Sequence, residues 1–80
     1  MDTIEKSLLD VENGRKARIR GFTGGKKIHQ KLTQYGIFQD DQLMVLRLAP
    51  FEGPILLSIN GREIALSRGI AENILVELVP

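Results

Sequence analysis

Histidine and cysteine, the side chains that most often carry nucleophilic and metal chemistry, are nearly absent from this chain of 80 residues. The sequence contains one histidine, His29, and no cysteine. A single imidazole cannot build a multi-histidine metal centre, and without a thiol there is no thiolate nucleophile or thiolate zinc ligand. We therefore predict a protein that is not an enzyme, with no catalytic residue, no metal site and no cofactor. His29 is expected at the surface or at the boundary of the core.

Two short polar segments could bind ions, but a structural role fits each of them better. The segment from Gly24 to Lys27 holds two glycines and two lysines before a helical pattern, and helix N-termini can bind phosphate. It lacks the spacing of a P-loop and the Ser or Thr that follows the lysine there, so we interpret it as a turn that needs glycine geometry. Asp40 and Asp41 offer oxygen ligands to a hard cation, although a polar turn is the favoured interpretation.

Positive charge is concentrated in one segment, although the net charge of the chain is only +1. Residues 15–31 include no acid, and their basic residues are Arg15, Lys16, Arg18, Arg20, Lys26, Lys27 and Lys31. We favour a solvated strand and helix surface that balances the acidic flanks. The alternatives are an acidic protein partner or the inner surface of a membrane, and nucleic acid. Nucleic acid is the weakest, because Phe22 is the one aromatic residue in the segment and stacking platforms need several.

Alternation of polar and apolar residues predicts several short strands. The first is Lys16–Arg20, which Gly21 is expected to end. Asn60-Gly61 is typical of a two-residue type I′ hairpin turn, because both positions tolerate a positive φ. The other predicted strands are Leu43–Leu48, Ile55–Ile59, Arg62–Leu66 and Ile74–Leu78.

One helix is predicted after the first strand. Ile28, Leu32 and Tyr35 recur at spacings of four and three residues from Lys26 onwards, which places them on one face of a helix. Gly36 follows at the position where a helix commonly ends. A second, single helical turn is predicted after Ser67, whose side chain is a good N-cap.

The number and length of these elements predict the class of fold. About five short strands, one short helix and one helical turn indicate a mainly β fold, a small and partly open barrel. Residues 1–7 are interpreted as a frayed polar lead-in, and residues 8–80 as a single domain.

The sequence contains more apolar residues than the inside of a small barrel can hold. Strand alternation directs one set of residues inward: Val45, Leu57, Ile59, Ile64, Leu66, Ile74 and Val76. The same alternation directs Met44, Leu46, Leu56 and Leu75 outward. With Phe51, in the loop that contains Pro50 and Pro54, they predict an exposed apolar patch that binds a protein partner.

Several of these features, in this order and spacing, resemble the FeoA family of small cytoplasmic proteins of bacterial ferrous iron uptake. The resemblance covers residues 8–78. The matching residues are Gly14, Ala17, Ile19, Leu32, Gly36, Ile37, Leu43, Val45, Ala49, Pro50, Gly53, Pro54, Ile55, Ile64, Ala65, Leu66, Ala71, Ile74, Val76 and Glu77. The chain departs from the family pattern at Tyr35, where the family has Leu, at Gln39-Asp40, where it has Pro-Gly, and at Ser67-Arg68-Gly69, where it has Arg and Glu residues. Asp40 tolerates left-handed backbone geometry better than most residues, so we expect the turn to survive.

The resemblance implies both an architecture and a role. The implied fold is an SH3-like barrel, and the implied role is a non-enzymatic accessory or regulator of ferrous iron transport. Its partner would be the membrane iron permease with a cytoplasmic GTPase domain, with self-association as a further expectation, in the cytoplasm or at the inner face of the membrane. A related barrel forms the C-terminal domain of metal-dependent repressors. The alternative function is therefore a small nucleic-acid-binding or regulator-like barrel that uses the basic segment 15–31.

Overall fold

Six antiparallel strands form one sheet, in the order β1-β6-β2-β3-β4-β5, in a computed structural model that describes residues 5–48 and 53–80. The strands are β1 Lys6–Ser7, β2 Lys16–Phe22, β3 Gln42–Leu48, β4 Ile55–Ile59, β5 Arg62–Leu66 and β6 Ile74–Leu78. Three helical segments connect them: a 3₁₀ turn at Leu8–Asp10, α1 at Gly25–Gln34 and α2 at Arg68–Ala71. The predicted mainly β class is confirmed. β1 and β5 are the two edges of the sheet.

The inner face of the sheet carries the hydrophobic core. Buried and less buried residues alternate along β4 and along the first part of β2 and β6, so every second side chain there points inward. The residues predicted to face inward are buried except for Ile64 on β5, which is half-buried and packs against the core. The core consists of Leu8, Val11, Ala17, Ile19, Leu32, Ile37, Leu43, Val45, Ile55, Leu57, Ile59, Leu66, Ile70, Ala71, Ile74 and Val76.

Two of the differences from the predicted boundaries change which residues are paired in the sheet. β2 does not end at Gly21 but continues to Phe22, because the register with β6 shifts between Ile19 and Gly21 and pairing then resumes. Such a β-bulge absorbs one extra residue, and glycine inside a strand often marks one. Lys6 and Ser7, interpreted above as part of the frayed lead-in, instead form β1 and pair with β6.

The hairpin between β4 and β5 turns at Asn60-Gly61, as predicted. The φ angle is 52° at Asn60 and 79° at Gly61, the two positive values that a type I′ turn requires. The two-residue loop fixes the register, in which Ile59 pairs with Arg62 and Leu57 pairs with Ile64. Both strands have the predicted bounds.

α1 ends in a Schellman motif at the predicted glycine. Gly36 has a φ of 77°, and its N–H donates to the carbonyl of Thr33 at 2.9 Å. The N–H of Ile37 donates to the carbonyl of Leu32, also at 2.9 Å. These bonds satisfy carbonyls at the end of the helix and return the chain to the core, where Ile37 is buried.

The buried face of α1 is narrower than predicted. Leu32 is buried and Ile28 packs partly against the core, but Tyr35 is 38% exposed. Tyr35 is the C-cap residue, at the very end of the helix. The guanidinium of Arg62 donates to the carbonyl of Tyr35, which ties the end of the helix to β5.

α2 connects β5 to β6 and is tied to the end of β2. Ser67 caps it as predicted, since its hydroxyl accepts from the N–H of Ile70 at 3.4 Å. The hydroxyl of Thr23 donates to Oδ1 of Asn73 at 2.9 Å, and Nδ2 of Asn73 donates to the carbonyl of Gly69 at 2.9 Å. Asn73 therefore bridges α2 and the segment that leads into α1.

Candidate protein-interaction surface

Three apolar side chains lie near one another on β3 and β4, away from the inward-facing residues of those strands. Met44 pairs with Ser58 of β4, and Leu56 lies two residues from Ser58 on the same face. Such diagonal neighbours have Cα atoms about 7–8 Å apart, within reach of long side chains. Leu46 lies between them along β3. We call Met44, Leu46 and Leu56 the outer-face cluster, and all three are half-buried.

Leu46 is the extra residue of a second β-bulge. Val45 pairs with Leu57 and Arg47 pairs with Leu56, so Leu46 has no register partner on β4. The simple alternation used to predict its orientation therefore breaks at this residue. Bulges bend a strand and can redirect a side chain, and here the bulge lies beside the two other members of the outer-face cluster.

Leu75, predicted in the same patch, does not lie with the outer-face cluster. It is half-buried on β6, where it pairs with Ser7 of β1 and Gly21 of β2. β2 separates β6 from β3 in the sheet, so a whole strand lies between Leu75 and the cluster. Phe51, predicted to extend the patch, lies outside the described residues.

Basic residues border the outer-face cluster on β2 and at the end of β3. Lys16 of β2 pairs with Met44, and Arg47 of β3 pairs with Leu56, and both basic residues are exposed. Arg18, next along the outer side of β2, pairs with Gln42 and is half-buried. Arg47 was missed because it lies outside the basic segment 15–31. Its place beside apolar residues in a predicted strand was the available signal.

The predicted basic segment does not form one surface. The exposed lysines Lys26, Lys27 and Lys31 are on α1, which follows the end of β2. Lys16 begins β2 and Arg15 precedes it, so about 20 Å of strand separates these residues from the start of the α1 segment. The structure therefore divides the segment into a group on β2 that borders the outer-face cluster and a separate group on α1.

Arg20, the last basic residue on β2, is engaged in ion pairs. Its Nη1 lies 3.4 Å from Oδ1 of Asp40, and its Nε lies 3.9 Å from Oε2 of Glu77. Two carboxylates therefore offset its charge. Arg20 belongs to the predicted basic segment 15–31, but its positive charge adds little to the net charge of the β2 surface.

The glycine turn before α1 has a structural explanation. Gly24 and Gly25 have φ angles of 90° and 82°, which confirms the expected need for glycine geometry. A Cβ atom at Gly24 would lie 2.6 Å from Oδ1 of Asn73, so the position also lacks room for a side chain. His29 is exposed on α1, as expected, and its ring centroid lies 5.9 Å from that of Phe22 with the planes tilted by 60°.

Asp40 and Asp41 form the polar turn that we favoured over a cation site. Asp40 has a φ of 73°, the left-handed geometry expected there. Oδ2 of Asp41 accepts from the N–H of Phe38 at 3.0 Å and from Nδ2 of Asn60 at 3.3 Å. Within residues 5–48 and 53–80, no group of three or more His, Asp or Glu side chains is placed to hold a metal ion.

Sequence reasoning also missed the exposed Phe38 near this turn, and it placed the exposed Tyr35 on the apolar face of α1. Phe38 is 52% exposed and Tyr35 is 38% exposed, the two large hydrophobic residues classed as exposed in the described part of the chain. The backbone N–H of Phe38 donates to Oδ2 of Asp41, and this bond holds the residue in place. Phe38 lies outside the predicted helix and strands, so periodicity assigned it to no face.

Comparison with solved structures relates this fold to two kinds of protein. The crystal structure of an iron uptake regulatory protein (FeoA) matches with 26% identity and a TM-score of 0.85, over 95% of this chain and 99% of the other. A FeoA-like protein from Clostridium acetobutylicum matches with 28% identity and a TM-score of 0.88, over 100% and 92%. A manganese-dependent transcriptional repressor matches in fold with a TM-score of 0.89 and 20% identity, over 99% of this chain and 44% of its own. These similarities confirm the predicted SH3-like fold.

No curated protein sequence shows significant similarity to the chain. Within the described ranges, no helix has the length and apolar character needed to span a membrane.

The family assignment rests on a match in sequence as well as on the fold. The sequence model of the FeoA domain matches residues 6–78, which is nearly the whole chain. The chain therefore belongs to the FeoA family, which is associated with ferrous iron transport.

Proposed function

We propose that this protein is a non-enzymatic accessory protein of bacterial ferrous iron uptake, which binds the cytoplasmic GTPase domain of a membrane iron permease. The observation that carries the proposal is the match of the FeoA domain to residues 6–78. The similar structures of an iron uptake regulatory protein and of a FeoA-like protein support it over more than nine tenths of the chain. The protein would act in the cytoplasm, at the inner face of the membrane.

The outer-face cluster is the proposed contact surface. Protein interfaces typically combine an apolar centre with a polar rim. Met44 and Leu56 supply apolar area here, and their cross-strand partners Lys16 and Arg47 supply a basic rim. The matching partner surface is apolar with an acidic border. Burial of apolar area contributes about 25 cal/mol per Å² and would hold the complex. The charges would mainly set the encounter rate and orientation.

Substitution of a single leucine tests the apolar centre. Binding of the full chain to the purified GTPase domain of the permease from the same genome is measured by biolayer interferometry. We expect Leu56→Asp to weaken binding at least about tenfold, because it places a charge in a desolvated contact. Leu75→Asp is the matched control, since Leu75 is also half-buried but lies beyond β2. Circular dichroism checks that both variants fold. Wild-type affinity for a folded Leu56→Asp variant would contradict the proposed surface.

Substitution of the basic residues separates this function from nucleic-acid binding. Replacement of Lys16 and Arg47 by Gln is expected to slow association at low salt and to leave most of the affinity at high salt. Replacement of Lys27 and Lys31 on α1 is the comparison, because those lysines lie apart from the outer-face cluster. If the protein instead binds nucleic acid, the α1 lysines should dominate, with a steep dependence on salt concentration.

A further inference from the structure

Strand β5 is an open edge of the sheet with backbone groups directed away from its neighbour. Among the described residues, it pairs with β4 alone. In a hairpin with a two-residue loop, the pair that flanks the loop, here Ile59 and Arg62, exchanges both backbone hydrogen bonds. Hydrogen-bonded and non-hydrogen-bonded pairs alternate along the hairpin from that pair onwards. The backbone of Ile64 therefore bonds to β4, whereas the N–H and C=O groups of Glu63 and Ala65 point outward, away from β4. The described residues supply no backbone partner for Glu63 or Ala65 beyond the sheet.

The same edge leaves apolar surface uncovered. Ile64 points inward and pairs with Leu57, which is fully buried, yet Ile64 is only half-buried. Its exposure has a simple cause, because the described part of the chain places no strand beyond β5 on its outer side. Ala65 is exposed as well, and it is small enough for another strand to approach. An edge of this kind is a template for pairing with a further strand.

We propose that β5 pairs in antiparallel orientation with β5 of a second copy of this chain, about a two-fold axis at Ile64. In this register Ile64 of each copy faces Ile64 of the other as a non-hydrogen-bonded pair, in which side chains approach most closely. Glu63 lies opposite Ala65 of the second copy, and Ala65 lies opposite its Glu63. Both of these pairs are hydrogen-bonded, so the four outward N–H and four outward C=O groups of the two strands form four new bonds.

The neighbouring registers fit less well. A two-fold axis at Glu63 places two carboxylates directly opposite each other, which is destabilising across a sheet. An axis at Ala65 places Glu63 opposite Ser67 of the second copy, but Ser67 has left the strand to cap α2. It also separates the two Ile64 side chains. The register centred on Ile64 thus uses every outward backbone group and keeps like charges apart.

Self-pairing in this register would create a bivalent surface. The two-fold axis runs perpendicular to the sheet, so corresponding residues of both copies lie on the same side of the joined sheets. The two outer-face clusters would then face the same way, and two weak contacts could act together on a partner with two sites. The edge pairing does not depend on the proposed partner, since it uses different residues.

A pair of opposite charge substitutions at Ala65 tests the register. Sedimentation equilibrium of the full chain from about 10 μM to about 1 mM is expected to show a monomer–dimer equilibrium. Ala65→Lys places a cation opposite Glu63 of the second copy twice per dimer, and should strengthen dimerisation by about 2- to 30-fold. Ala65→Glu should weaken it by a similar factor. Both effects should shrink as salt is added. A wild-type chain that stays monomeric throughout, or two variants that shift the equilibrium in the same direction, would overturn the proposal.

Amide hydrogen exchange on the wild-type chain provides a test without any substitution. The amides of Glu63 and Ala65 point away from β4, so they should exchange rapidly in the monomer and become protected as protein concentration rises. The amides of Ile64 and Leu66 bond to β4 and should be protected at every concentration. Equal behaviour of all four amides, or dimerisation without protection of Glu63 and Ala65, would place the contact elsewhere.

Discussion

Gly61 illustrates a residue whose identity is set by backbone geometry alone. Its φ is 79°, and among the described residues a Cβ there would meet no atom within 4 Å apart from the adjacent residues, so the cost of substitution comes from conformational strain and not from a clash. Gly61→Val should lower the free energy of unfolding by at least about 1 kcal/mol, because a β-branched residue strongly disfavours a positive φ. Gly61→Asn should cost less, because Asn tolerates this region.

Thermal unfolding measures the difference between these two variants. In a domain of this size, 1 kcal/mol corresponds to a shift in melting temperature of about 4–8 °C. The melting temperature should be highest for the wild type, lower for Gly61→Asn and lowest for Gly61→Val. An unchanged melting temperature for Gly61→Val would mean that the type I′ turn does not set the hairpin.

At the scale of the strand, β4 has one face in the core and one face on the surface. Leu57 is fully buried, whereas its neighbour Leu56 is half-buried in the outer-face cluster. Leu57→Ala should therefore cost about 2–5 kcal/mol by leaving a cavity, a large part of the roughly 4–12 kcal/mol expected for 80 residues. Leu56→Ala should cost about 1 kcal/mol. Chemical denaturation measures both values, and equal losses would show that the two faces are not distinct.

Most of the fold could be predicted from the sequence, because most of its elements are specified by residues that are close together along the chain. The Asn60-Gly61 turn, the glycine at the end of α1 and the Ser67 cap each act over a few residues, and all three are confirmed. The two β-bulges could not be predicted, because a bulge depends on the register of a strand that is distant in sequence. The bulge between β2 and β6 explains why β2 passes Gly21.

The candidate surface was predictable only in part, for a related physical reason. Alternation tells which face of a strand a residue occupies, but not which strands are neighbours. Leu75 was therefore grouped with Met44, although β2 lies between their strands. The same limit applied to charge: the segment 15–31 is continuous in sequence, but a strand and a helix carry its two parts to different places.

At the scale of the whole molecule, the architecture suits a protein that acts by contact. The sheet exposes one face and two edges, and residues from three different strands form the outer-face cluster with its basic border. α1 and α2 cover the core, and the hydrogen bond between Thr23 and Asn73 joins the segment before α1 to the segment after α2. The strand surfaces that this leaves for other molecules are held in a fixed relation to one another.

We expect the isolated protein neither to hydrolyse GTP nor to bind it tightly, because the glycine turn before α1 lacks the features of a phosphate-binding loop. Phosphate binding by a glycine-rich turn needs free backbone N–H groups, a lysine at the correct spacing and a hydroxyl for Mg²⁺. Here the glycine turn before α1 packs against the side chain of Asn73, and Lys26 and Lys27 are followed by Ile28 and not by Ser or Thr. Equilibrium dialysis with Mg²⁺ and GTP should detect no binding at micromolar concentrations. The GTPase domain of the permease is the positive control, and any change in its hydrolysis rate on addition of this chain would then arise from contact between the proteins. Micromolar GTP binding to the chain alone would contradict the prediction.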